Sequence, residues 1–458
     1  MDRRTFLQLA AAAPRASFPG VYDVRTFGAT GAGRTLDTHA IQKAIDAASS
    51  AGGGVVYFPP GKYLSGTLVL KSRVKLHLEA GAALCGSTNI ADYNPRHLIY
   101  AKNVEDVVLE GQGTIDGQGD AFFDKDMKPL ARPSPLIEIW DSRNIRILDL
   151  TIRNTPGWGI HPKNCDGVKI RGITLLNNLR AINSDGIDPD SCRNVIISDC
   201  HIEAGDDCIV LKTTSRGGAA GPTENVVVTN CVLVSAASAL KLGTESHGDF
   251  RHCLFSNCVI RDSRTGIALF AKDGGLMEGV RFSNIVMTTQ RKWGQGVEWP
   301  IVLDIEKRTA ESRLSRIRDV SFSDITIHTQ GRVLAAGMPE SAIERLSFRN
   351  VHMRVTGYEK VEGVRKPRGG RVSAPAVNDY GSTPAALIFA HIRGLSVENL
   401  DLDWPDGPAE KRHAIFGDRL DGASFARIRA AASSAGMPAV HIIDSKNVKH
   451  EQGSYKEP

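Results

Sequence analysis

No apolar run in this 458-residue chain approaches the roughly 20 residues needed to cross a bilayer, so no membrane-spanning helix is expected. No block of Lys and Arg is present either. Fifty-six basic against 51 acidic residues leave a net charge of only +5, so no nucleic-acid partner is expected. That mild excess fits an anionic ligand without demanding one. The eight cysteines (Cys85, Cys165, Cys192, Cys200, Cys208, Cys231, Cys253 and Cys258) form no CxxC pair and no Cys/His cluster with zinc spacing. They read as small buried apolar residues, with disulfide pairing after export as the alternative. Clear helical periodicity is confined to "LDTHAIQKAIDAASSAGGG". There Asp37 or Thr38 can cap a helix, Ile41, Ala44, Ile45 and Ala48 form its apolar stripe, and Gly52 to Gly54 end it. Apolar content of 41% nevertheless marks a folded chain.

What fills the chain instead is a repeating phrase: a short alternating apolar run, an Asn or Asp, then a second such run. "GVKIRGITL", "NVIISDCHI", "NVVVTNCVL", "HCLFSNCVI" and "GVRFSNIVM" are examples. The second residue of each is Val168, Val195, Val226, Cys253 and Val280, in steps of 27, 31, 27 and 27. Period-two alternation means strands with one buried face. Short strands recurring at this period without helices between them mean coils stacked into an all-β solenoid. Asn154, Asn230, Asn257 and Asn284 fall at the bends, where asparagine tolerates left-handed backbone and can ladder with the next coil. Cys200, Cys231 and Cys258 hold equivalent places in three coils, as an interior stack. The early helix would cap the solenoid's open end.

The N-terminus, "MDRRTFLQLAAAAPRASF", has two arginines before a short apolar run. Residues 1–17 are read as a twin-arginine-type export signal, and 18–458 as one solenoid domain. The basic segment Glu359–Val372 reads as a solvated surface loop, with substrate binding as the alternative.

One stretch, Ile182 to Lys212, threads six aspartates through apolar runs. Asp185 and the pair Asp206–Asp207 are 21 residues apart, about one coil. Strands of successive coils lie about 4.8 Å apart, so these carboxylates can meet on one outer face. Carboxylates in contact repel one another, so some hold protons while others stay ionised. An acid beside a base is what glycosidic hydrolysis needs. A site for a hard cation such as calcium is the other reading of such a cluster.

The sequence resembles the polygalacturonase family, glycoside hydrolase family 28, over nearly its whole length. "FGATGAGRTLDTHAIQKAIDAA", "GQGTIDGQGDAFF", "NTPGWGIHP", "NSDGIDPDSCRNV" and "AGDDCIVLK" carry the likeness. Asn183-Ser184-Asp185-Gly186 matches the family's N-T-D-G motif, and Gly205-Asp206-Asp207 its G/Q-D-D motif. The resemblance implies a right-handed parallel β-helix and an inverting hydrolase of pectin-type polysaccharide. It implies Asp206 as general acid and Asp185 and Asp207 as bases, with Asn183 and Lys212 near the substrate. Inversion wants its carboxyls roughly 6.5–9.5 Å apart. No metal or organic cofactor is implied, and a monomer is expected.

Two family motifs are absent. Where G-H-G is usual the chain reads "SAASALKLGTE", and where R-I-K is usual Ala268 and Phe270 stand. Strand alternation puts Ala268, Phe270 and Lys272 on one face and turns Lys241 outward between Leu240 and Leu242. Lys241, Glu245, Lys272, Phe270, Trp158 and His161 are therefore further candidates for substrate contact. Without the usual Arg and Lys, a rhamnogalacturonan-directed or rhamnosidase-like activity stands beside polygalacturonan hydrolysis. The insert holding Trp293 and Trp299 would wall the groove. The rivals are a calcium-dependent polysaccharide lyase and a non-catalytic carbohydrate-binding β-helix.

Overall fold

The computed structural model describes residues 20–215, 220–291, 299–356, 380, 383–405 and 411–451. The segment 1–17 read as an export signal, Trp293 and the basic segment 359–372 lie outside them. No helix among the described residues is long and apolar enough to cross a membrane.

The chain winds into a parallel β-helix. Among the described residues thirty strands join in one continuous sheet wrapped around the coils, and four more form a short parallel sheet beside it. The sequence repeat is the register: Val168 pairs with Val195, Val195 with Val226, Val226 with Cys253 and Cys253 with Val280. Val280 then pairs with Val320, so the step of 40 is a coil lengthened by an insert. In-register parallel strands place like residues over one another, and the interior shows it. Phe255, Phe282, Phe322 and Phe348 stack with centroids 4.7, 5.0 and 4.7 Å apart and ring planes nearly parallel. That spacing is the strand spacing.

The bends follow from asparagine. Asn154, Asn230, Asn257 and Asn284 all have φ between +50° and +56°. Asn284 Nδ2 donates to Asn257 Oδ1 at 2.8 Å, and Asn230 Nδ2 to Asp199 Oδ1 at 3.2 Å. The cysteines are all free thiols, seven of them buried. Cys200, Cys231 and Cys258 stack in the interior and donate to backbone carbonyls. The α-helix Thr38–Ser50 buries Ile41, Ala44, Ile45 and Ala48 against the first coil. Asp37 precedes it but does not cap it with its side chain. Its carboxylate instead accepts from the Thr30 and Gly31 amides, tying down the preceding loop.

Candidate active site

Strands Ile160–Lys163, Ile209–Thr213, Ser238–Ser246 and Thr265–Ala271 share one outer face. Between the first two on that face the chain forms no strand, and bridges through Ile187 and Asp190 to both neighbouring coils. The freed segment before them bends at Asn183, φ +59°, and raises Asp185. Buried Ser184 pins it: its Oγ donates to Ala181 O at 2.8 Å and accepts from Gly205 N at 3.1 Å. A side chain at 205 would meet Ala181 O at 2.4 Å, and one at 186 would meet Cys208 O at 2.4 Å. Both motif glycines are thus dictated by the close approach of two coils. Gly186 N donates to Asp207 O at 2.9 Å, which fixes Asp185 and Asp207 on adjacent coils.

One carboxylate oxygen from each of Asp185, Asp206 and Asp207 lies within 4.8 Å of the others. This is closer than the roughly 6.5–9.5 Å between carboxyls expected for inversion. Adjacent coils, with strands about 4.8 Å apart, allow such an approach. A water making two hydrogen bonds of about 2.8 Å still spans such a gap.

The three acids are not equivalent. Asp207 is buried, which alone would raise its proton affinity. The charges of Lys241 and Lys212, with hydrogen bonds from Lys241 and Ser238, overturn that and hold it below the usual carboxylate value. Lys241 Nζ donates to Asp207 Oδ2 at 2.6 Å, and Ser238 N to Oδ1 at 3.1 Å. Asp206 is pushed up by burial and by the Asp207 charge. Its Oδ2 accepts from Asn183 N at 3.2 Å and Nδ2 at 3.3 Å. Asp185 is pushed well above the usual value by burial, then by Asp188 and Asp206. So the proton affinity of Asp206 is raised and that of Asp207 lowered, the order an acid and a base need. Asp185, expected as a second base, is shifted in the same direction as Asp206. A hard cation would need these same oxygens, but the Lys241 ammonium is already seated on Asp207.

The other candidates separate. Lys212 is buried, 3.6 Å from Asp188 and 3.5 Å from Glu245, and its ammonium sits 4.5 Å from the half-buried Trp158 ring. Glu245 is held ionised because Lys212, Lys241 and Arg308 outweigh its burial. Phe270 lies between the ammonium groups of Lys241 and Lys272, at 5.9 and 5.2 Å, so cations cover the apolar surface expected there. Two expectations need correction. His161 does not face substrate: it is buried, with Nδ1 2.7 Å from Glu138 and Nε2 3.4 Å from Asp190. Lys272 does not reach into the groove as a spare cation, because it is buried and ion-paired to buried Glu306. Trp299 is buried with Ala268, Val302 and Leu334 in an apolar cluster that closes the outer face beyond Phe270.

Four residues escaped the sequence reading. Asp188, fully buried, is brought to about 7, where burial outweighs the Lys212 charge. It stands three residues after Asp185 in "DGIDPD", and that acidic spacing was its only signal. Arg264 acts on Asp206, and Arg132 on Asp185. Arg308 approaches Glu245 from a later coil. Nothing in local sequence distinguishes these arginines from surface ones.

An outer face of a parallel β-helix that sets an aspartate of raised proton affinity beside one of lowered affinity is suited to glycoside hydrolysis. The comparison with known families agrees. Residues 55–364 match Glycosyl hydrolases family 28, and the chain belongs to that family. It is 34% identical over 318 residues to a probable polygalacturonase of Vitis vinifera, covering 63% of this chain and 64% of that protein. The match thus spans just under two thirds of that relative. An endo-polygalacturonase of Pectobacterium carotovorum subsp. carotovorum is 26% identical over 350 residues, 69% of this chain and 84% of that one. In fold, the chain is similar to the exopolygalacturonase of Thermotoga maritima, with TM-score 0.67 and 20% identity, over 87% of this chain and 96% of that one.

Proposed function

We propose that this glycoside hydrolase cleaves a polygalacturonan-type acidic polysaccharide with inversion. The observation that carries the reading is the split within the aspartate cluster. Asp206, its proton affinity raised, gives a proton to the leaving oxygen, while Asp207, its affinity lowered by Lys241, activates water. General acid and base catalysis of this kind contribute about 100- to 10,000-fold each. Asp185, also raised, holds the attacking water beside Asp207. As positive charge develops on the sugar ring, its proton is more readily lost, and it then shares the base role.

An acidic substrate is favoured by the cations gathered at the cluster: Lys212, Lys241, Arg132, Arg264 and Arg308 each act on one of its acids or on Glu245. They stand in for the Arg and Lys that Ala268 and Phe270 displaced. A rhamnosidase-like site would present a bare apolar face, whereas Phe270 has the ammonium groups of Lys241 and Lys272 at 5.9 and 5.2 Å from its ring. Such a polymer lies outside the cell, in keeping with the export signal read at residues 1–17.

The test is reducing-end release from polygalacturonan, rhamnogalacturonan and an aryl α-L-rhamnoside. Release from the first, without the ultraviolet absorbance of a new double bond, supports hydrolysis of a uronate polymer. Release from the rhamnoside alone overturns the substrate. Double-bond absorbance overturns the reaction type.

A further inference from the structure

Arg308 lies just beyond the strand Trp299–Ile305, which pairs with Thr265–Ala271 one coil earlier. Its chain turns back over that coil: Arg308 N donates to Lys272 O at 3.0 Å. The guanidinium is then clamped along one edge. Nε donates to Asp273 Oδ1 at 2.6 Å, and Nη2 to Asp273 Oδ2 at 2.9 Å and to Thr244 O at 2.8 Å. Asp273 is buried and is itself fixed by the Ser246 amide at 2.9 Å. Nη2 also lies 3.9 Å from Glu245 Oε1, and the other oxygen of Glu245 lies 3.5 Å from Lys212 Nζ. Two ion-pair contacts therefore connect Arg308 to the lysine beneath the aspartate cluster. Yet the Arg308 side chain is 27% exposed, and its Nη1 makes no hydrogen bond among the described residues.

A planar guanidinium held along one edge cannot rotate, so the direction of its remaining donors is fixed. Fixed, exposed guanidinium donors suit a carboxylate, through short charge-assisted bonds. We propose that Arg308 is a specificity-determining residue that binds the carboxylate of the sugar adjoining the cleaved one, on the side of the later coils. The proposal rests on the uronate reading above. A methyl-esterified sugar offers no anion to Arg308, so this residue discriminates by the charge at C6.

The experiment compares wild type, Arg308→Gln and Arg308→Lys on fully de-esterified and partly methyl-esterified galacturonan. Loss of a charge-assisted contact lowers kcat/KM about 10- to 100-fold. On the de-esterified polymer Arg308→Gln is expected to show that loss mainly through KM. On the esterified polymer the loss is expected to be smaller, so the preference for free acid shrinks. Arg308→Lys restores part of it. If Arg308→Gln lowers activity on both polymers equally with a lower melting temperature, Arg308 is only a structural clamp and the proposal fails. An unchanged preference also overturns it, while leaving the uronate reading intact. A wild type inactive on both polymers overturns that reading and the proposal with it.

Discussion

Replacing Lys241 by Met, a side chain of similar length without charge, isolates the feature that keeps one aspartate ionised. In the wild type Lys241 Nζ is 2.6 Å from Asp207 Oδ2, and Asp207 is 1% exposed. After the substitution the Ser238 amide and the more distant Lys212 charge remain. A hydrogen bond to a charged group contributes about 1.5–3 kcal/mol, and one pKa unit corresponds to about 1.4 kcal/mol. Asp207 should therefore take up its proton roughly one to two pH units higher. The direction is fixed by its wild-type state. A carboxylate held below its usual value is ionised, and useful as a base, from a lower pH upward. Raising it moves the acid limb of kcat/KM to higher pH. Stability changes with the same sign: the contribution of Asp207 is present above the ordinary aspartate value and lost as pH falls through its depressed one. The variant should lack that contribution at neutral pH, where removing one partner of a buried pair costs about 3–5 kcal/mol. Initial rates of reducing-end release across the acidic and neutral range, with urea unfolding at matched pH, measure both. An acid limb that stays in place while the protein remains folded would refute the assignment of Asp207 as the Lys241-held base.

Two further outcomes concern the frame. Although burial alone would lower it, Asp190 and Glu138 drive buried His161 up to about 9. Its contribution to stability should be complete below the free imidazole value of about 6.5 and vanish as pH rises through about 9. Melting temperatures over that window should fall in wild type and stay flatter in His161→Gln; parallel curves would show that the imidazole is neutral in the fold. Phe282 stacks between Phe255 and Phe322. Phe282→Ala should cost about 3–5 kcal/mol in urea unfolding, and a loss below about 1 kcal/mol would mean that the stack closes over the gap.

The coil register was readable because a solenoid turns sequence period directly into spatial contact. Val168, Val195, Val226, Cys253 and Val280 could be aligned by counting, and that column is the one observed. The same counting brought Asp185 to Asp206 and Asp207. Alternation tells which side chains leave the coil, and it placed Leu240 and Leu242 inside. It does not tell what covers the outside. His161 leaves its strand, only to meet Glu138 and Asp190. Lys272 does the same and meets Glu306, a partner 34 residues away across an insert. Arg308 reaches Asp273 and Glu245 through a backbone turn that no residue pattern announces. Such pairings depend on the paths of irregular segments between strands, where no period guides the count.

The measurement that bears most directly on the mechanism is the anomer first formed from polygalacturonan, followed by proton NMR for wild type and Asp206→Asn. The account predicts that wild type releases reducing ends with the configuration opposite to that of the bond cleaved, although the carboxylate oxygens approach within 4.8 Å. It predicts that Asp206→Asn loses about 100-fold or more of the rate, the scale of a general acid. A retained configuration would make one of the close-set aspartates a nucleophile, and near-normal turnover by Asp206→Asn would take the acid role from Asp206.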